Sequence, residues 1–168
     1  MIAVARILAL VAGLAAGVAA APAAAQNVQQ IFLTESRTFL EEHWKKLAAF
    51  DAAAFADFAP EGVRSYVGYV GRGADRRIGI VGNASGPDLK RRLERQLALE
   101  KEAKDPPSFT DLRLVVQTRL TVRYCAKRMP VSVPEPEEYC WLIENRGGGN
   151  YTIAEDQVPA RFWSMTRR

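Results

Sequence analysis

Two cysteines set in a stretch of alternating polarity, Thr110 to Val158, constrain this chain more than anything else in it. From Thr110 to Cys125, Leu112, Leu114, Val116, Leu120, Val122 and Tyr124 fall on one face of an extended backbone, and Arg113, Gln117, Arg119, Thr121 and Arg123 on the other. That pattern predicts one long, half-buried strand. A second run, Tyr139 to Asn145, puts Tyr139, Trp141 and Ile143 on its apolar side, with Cys140 and Glu144 opposite. Opposed residues of an antiparallel pair have numbers that add to a constant, which is 265 if Cys125 faces Cys140. Tyr124 then faces Trp141 and Val122 faces Ile143, so the register that joins the sulfurs also aligns both apolar faces. A slip of one residue would send them to opposite sides. Arg146 to Asn150, with three consecutive glycines, reads as a turn, and Tyr151, Ile153 and Glu155 alternate with Thr152, Ala154 and Asp156 in a third strand.

The first 25 residues read as a leader. Arg6 precedes an apolar run from Ile7 to Ala21, and small residues end at Ala23-Ala24-Ala25, the pattern of a cleaved secretory signal with cleavage near Ala25. The run is short of the ~20 apolar residues a spanning helix needs, so no membrane span is expected after cleavage. An exported chain sits in a periplasmic or secreted, oxidising setting, where two cysteines allow a single disulfide, Cys125 to Cys140. Residues 26–168 suit one domain. The net charge is +4 at pH 7, one unit less without Arg6, and cations and anions are interspersed. That balance gives no footprint for nucleic acid.

Gln26 to Thr34 reads as a loose lead-in. From Glu35, Ser36, Phe39, His43, Leu47 and Phe50 recur at helical spacing with Leu40 and Trp44 beside them, and Glu41, Glu42, Lys45 and Lys46 opposite. A second short helix follows, with Asp51 as N-cap, three phenylalanines to seal a core, and Pro60-Glu61-Gly62 to close it. Val63–Val70 and Arg77–Val81 read as glycine-interrupted strands. Pro87 and Asp88 open a third helix with Leu89, Leu93 and Leu97 as its apolar stripe. Its other sides, with Lys90, Arg91, Arg92 and Arg95 against Glu94, Glu100 and Glu102, read as a solvated face. Three prolines between Ala126 and Glu138 predict an extended hairpin loop tied at its base by the disulfide.

The inventory of reactive groups is thin. No GxGxxG, GxxxxGK[ST] or GxSxG pattern occurs, and one histidine with two oxidised cysteines cannot assemble a zinc site. No cofactor or metal is expected. His43 lies on the apolar side of its helix, where it is either a satisfied core residue or an acid–base group partnered by a nearby Tyr or Asp. Asp51 and Asp57 are candidate bases that helix capping also explains.

The element order is a long helix, a short helix, two weak strands, a third helix and three longer antiparallel strands. This is an α+β class with helices against a curved antiparallel sheet. The order resembles the NTF2-like (cystatin-like) cone shared by nuclear transport factor 2, ketosteroid isomerase, scytalone dehydratase and SnoaL-type cyclases. Three stretches carry the resemblance: Leu47-Ala48-Ala49-Phe50-Asp51 through Phe58-Ala59-Pro60-Glu61-Gly62-Val63, Gly86-Pro87-Asp88-Leu89, and Gly149 to Val158. The resemblance implies a conical pocket lined by His43, Trp44, Phe55, Phe58, Tyr66 or Tyr69, Tyr124 and Trp141, suited to a small apolar molecule, or else filled by those same side chains. It also implies a dimer contact on the outer sheet face, where Arg113, Val115, Gln117, Arg119 and Arg123 would lie. Three functions fit: an exported non-catalytic module that binds an apolar ligand or a protein partner; an isomerase- or dehydratase-like enzyme using His43, Asp51 or Asp57; and a VirB8-type secretion module, which the cleaved leader disfavours. Shared shape does not fix the job.

Overall fold

The computed structural model describes the backbone at residues 3–131, 133 and 135–166, with side chains from Gln26 onward. The chain divides into two compact units, Met1–Glu35 and Ser36–Arg168. Helix α1 is Ala3–Ala48. Gln26 to Thr34 is therefore helical rather than a loose lead-in, and the Thr34 hydroxyl donates to the Gln30 carbonyl one turn earlier (3.0 Å). The leader reading of residues 1–25 rests on side chains outside the described residues. Among the described residues no helix is long and apolar enough to cross a membrane.

In the second unit, α1 buries Ser36, Leu40, His43 and Leu47 and ends where Phe50 takes a positive φ of 55°, a left-handed residue that stops the helix. Asp51 then caps a single 3-10 segment, Ala52–Asp57, its side chain accepting from the Ala53 amide at 2.8 Å. Strand β1 is Phe58–Val70, β2 is Arg77–Ser85, α2 is Gly86–Glu102, β3 is Phe109–Gln117, β4 is Thr121–Arg128, β5 is Glu137–Asn145, β6 is Tyr151–Pro159, and α3 is Arg161–Met165. Pro60-Glu61-Gly62 does not close the short helix. It forms an irregularity inside β1, where pairing with β6 jumps from Phe58↔Ile153 to Val63↔Glu155 and proline's missing N–H is tolerated.

The six strands make one sheet in the order β2-β1-β6-β5-β4-β3. All neighbours are antiparallel except β1 and β6, which run parallel. Between β4 and β5 the expected register holds throughout: Cys125↔Cys140, Tyr124↔Trp141, Val122↔Ile143 and Arg128↔Glu137. Cys125 and Cys140 are joined in a disulfide. The long strand expected from Thr110 to Cys125 is instead a hairpin. At Thr118 the side-chain oxygen accepts from the Leu120 and Thr121 amides (3.3 and 3.0 Å), and the Thr118 amide donates to the Thr121 carbonyl at 2.8 Å. The loop tied by the disulfide is also shorter than expected, residues 129–136, because β4 runs on to Arg128 and β5 starts at Glu137.

Helix α2 buries Leu89, Leu93 and Leu97 as its stripe predicts, but Arg92, Gln96 and Glu100 are buried with them. The reading of that flank as solvated is therefore wrong at Arg92 and Glu100. The tail turns from β6 into α3, which buries Phe162 and lays Trp163 against Tyr66 (centroids 5.2 Å). Gly82 is required beneath it, since a Cβ there would stand 2.6 Å from the indole.

Candidate functional site

The concave face of the sheet carries three groups of side chains. The first is a cluster of rings. Trp44 of α1 packs on Phe109 (5.0 Å) and on Trp141 (5.4 Å), while Phe109 meets Trp141 and Tyr139 edge-on at 5.1 and 5.2 Å. These separations are those of favourable aromatic pairs, with rings in van der Waals contact. Tyr124, opposite Trp141, is buried beside them and shares a hydrogen bond with the Ser36 hydroxyl at 3.2 Å.

The second group lies at the end of α1. His43 is fully buried, and its Nδ1–H donates to Asp57 Oδ2 at 2.8 Å, while Lys46 donates to the other oxygen. Burial would raise the Asp57 carboxyl, but the hydrogen bonds and charges of His43 and Lys46 outweigh it and hold the group below its ordinary value. His43 Nε2 has no hydrogen-bond partner among the described residues, and the ring meets Phe58 edge-on at 6.0 Å.

The third group is a chain of buried charges. Arg64 Nη1 donates to Gln96 at 2.9 Å, Gln96 donates to Glu100 at 3.0 Å, and Arg128 donates to Glu100 and to the Asp105 carbonyl (2.9 Å). Asp156 closes the other end against Arg64, and the Arg128 guanidinium lies 3.1 Å from the Asp105 carboxylate. Burial raises Glu100 despite Arg128 beside it, and burial likewise pushes up the Tyr139 phenol.

Among the candidate pocket residues, His43, Phe58, Tyr66, Tyr124 and Trp141 are buried, and Trp44 and Phe55 half-buried. Phe55 stacks on Phe58 at 6.4 Å, and Tyr66 is covered by Trp163 and Arg92. Tyr69 departs from this set. It is 64% exposed and lines the convex side of the sheet, because it sits at the odd phase of β1 relative to Tyr66. Asp51 is exposed and caps the 3-10 segment. Sequence reasoning missed Phe109, Tyr139, Arg64, Asp156, Arg128 and Glu100. Arg128 was detectable, since it shares the buried phase of Val122, Tyr124 and Ala126 along β4.

On the convex face a recess of about 500 Å³ is lined by Val67, Tyr69, Ile78, Pro136, Cys140 and Pro159. Further along that face Arg113 pairs with Glu138 (2.8 Å) and Arg123 with Glu155 (2.7 Å), and Val115 and Val116 of β3 are exposed. Cys125, Glu138 and Cys140 are gathered closely enough to ligate a metal, but the two sulfurs are bonded to each other, which removes them as ligands.

No family model matches the sequence, and no curated protein matches it either. Solved structures do. A protein from Novosphingobium aromaticivorans assigned as a scytalone dehydratase aligns over 79% of this chain and 86% of its own, at 8% identity and a TM-score of 0.53. A cystatin-like fold protein from Burkholderia xenovorans aligns over 78% and 92%, at 12% identity and a TM-score of 0.52. A DUF3225 protein of unknown function from Pectobacterium atrosepticum aligns over 79% and 90%, at 10% identity and 0.51. The chain has the NTF2-like cone fold. In this NTF2-like cone the rings around Trp44 and the Arg64–Arg128 chain of charges occupy the concave face. At these identities the likeness carries the shape and not the chemistry.

Proposed function

We propose that this NTF2-like domain is a non-catalytic binding module, exported to the periplasm or secreted, that takes a small apolar molecule or a protein partner on the outside of its cone. One observation carries this reading: Trp44 is packed against Phe109 and Trp141, so the rings expected to line a pocket serve one another as neighbours. The buried ions support it, because Arg64, Asp156, Glu100 and Arg128 are spent on each other. A disulfide between β4 and β5 fits an oxidising compartment. The exposed Val115 and Val116 beside Arg113 offer a contact for a second copy of the chain. Native mass spectrometry of protein recovered from the cell envelope tests this in one measurement. The expected result is a mass lacking residues 1–25, two hydrogens lighter than the dithiol, with a bound small molecule or a second subunit. A full-length, reduced, ligand-free monomer contradicts the proposal.

A second reading is favoured by His43 alone. Its Nδ1 is fixed by Asp57 and its Nε2 has no partner among the described residues, the arrangement of an oriented acid–base group. Turnover of a cyclic enol or hydroxy-ketone that disappears in His43→Gln, with fold and ligand content unchanged, would establish this reading over the first.

A further inference from the structure

The convex recess has a chemical asymmetry that narrows what it can hold. Its lining is apolar along Val67, Ile78, Pro136 and Pro159. Ile78 is 70% exposed, and such large apolar groups beside one another mark a binding surface more often than plain solvent contact. The volume of about 500 Å³ falls within the range of small-molecule sites.

The charges at the rim decide the ligand's head. Two carboxylates border the recess, and both are already held: Glu137 accepts from Arg161 at 2.6 and 2.9 Å, and Glu138 accepts from Arg113. Arg76 is not part of the lining, but its guanidinium lies 4.1 Å from the centroid of the Tyr69 ring, which is, and it makes no ion pair with a described residue. Arg72 and Arg77 flank it on the same hairpin and are likewise unpaired among the described residues. Asp75, on the same hairpin, is also outside any ion pair among the described residues, so three cations stand against one carboxylate there, and Arg76 brings that positive excess to the Tyr69 side of the recess.

We propose that this recess binds a single-chain amphiphile with an anionic head, of the fatty-acid class, its carboxylate on Arg76 and its chain along Val67, Ile78, Pro136 and Pro159. The proposal rests on reading the convex face as the binding face. A depression suits one chain, whereas a bilayer surface is met by groups that project from a protein. A guanidinium stacked on a ring keeps its N–H edge free for a carboxylate.

The test is isothermal titration of the oxidised protein with palmitate below its micellar concentration and with methyl palmitate, using wild type, Arg76→Gln and Ile78→Asp, with circular dichroism to confirm folding. Palmitate is expected to bind with a stoichiometry of one, about tenfold or more tightly than its ester, the scale of one charge-assisted hydrogen bond. Arg76→Gln should erase that difference, and folded Ile78→Asp should bind neither. Equal binding of acid and ester, unmoved by Arg76→Gln, overturns the anionic head and leaves the apolar recess standing. Failure of both ligands on folded wild type overturns the recess as well. Binding to phosphatidylglycerol vesicles without binding of monomeric palmitate also overturns the proposal, in favour of a membrane surface.

Discussion

Arg64 faces Asp156 across the parallel seam of the sheet, donating Nε to both carboxylate oxygens (3.1 and 2.9 Å) and Nη2 to one of them (2.5 Å). Both side chains are almost completely removed from solvent. Removing one partner strands the other charge in the interior, so Asp156→Ala is expected to cost about 3–5 kcal/mol. Arg64→Met with Asp156→Leu should recover much of that loss. Urea unfolding of the three proteins checks this, and a single mutant as stable as wild type would show the pair to be solvated.

The disulfide spans a sequence separation of 15 residues. Cross-linking a loop of that length removes unfolded-state entropy worth roughly 3 kcal/mol. Cys125→Ser with Cys140→Ser should lower the unfolding free energy by about that amount while keeping the β4–β5 register, because Tyr124, Trp141, Val122 and Ile143 still align it. Guanidinium titration gives the first number, and hydrogen exchange at the Val122 and Ile143 amides gives the second.

Stability below pH 5 should depend on Asp57. Its carboxyl is held below the ordinary value in the folded state, so the unfolded chain takes up the proton first as pH falls. The stabilisation is complete above the ordinary carboxylate pKa of about 4 and drains away as pH falls through the folded-state value. Asp57→Asn is expected to flatten that acid limb. Glu100 acts in the opposite sense: burial raises it, so its contribution is complete below its ordinary value and is lost as pH rises through the raised one. Glu100→Gln should remove that decline. Thermal melts from pH 3 to 8 on the three proteins separate the two slopes.

Trp44→Ala removes the ring packed on both Phe109 and Trp141. A large-to-small change in packed rings costs about 3–5 kcal/mol. The loss should show as a lower denaturant midpoint and a weaker near-ultraviolet circular dichroism signal. If Trp44 lined an open pocket instead, the change would be nearly neutral for stability and would alter ligand uptake.

Much of the β4–β5 pairing was legible because two independent signals, the cysteines and the apolar faces, demanded one register. The turn at Thr118 was not, because Leu120, Val122 and Tyr124 continue the parity of Leu112 to Val116 straight through it. The reversal is held by the side-chain oxygen and backbone amide of Thr118, which leave no trace in the apolar pattern. Helix α2 misled for a different reason. A charged flank usually faces water, and Arg92 and Glu100 are buried here with Asp88 of the same helix one turn before Arg92, and with Thr166 and Arg128 arriving from elsewhere to meet them. The candidate site was legible as a set of rings and not as pairs. His43 and Asp57 are joined by the bend at Phe50, and neither residue's local pattern encodes that bend. Tyr69 was separable from Tyr66 by strand parity once β1 was accepted as a strand.

The parallel seam between β1 and β6 has a consequence for how the molecule is made. Strand β2 can find β1 as soon as the hairpin between them is synthesised, and β3 to β6 can zip up as a meander. The two halves stay separate ribbons until β6 arrives, because β1 closes on that final strand. A nascent chain halted before β6 therefore carries a raw edge along Val63 to Val67, with Arg64 waiting for the Asp156 carboxylate that has not yet been translated.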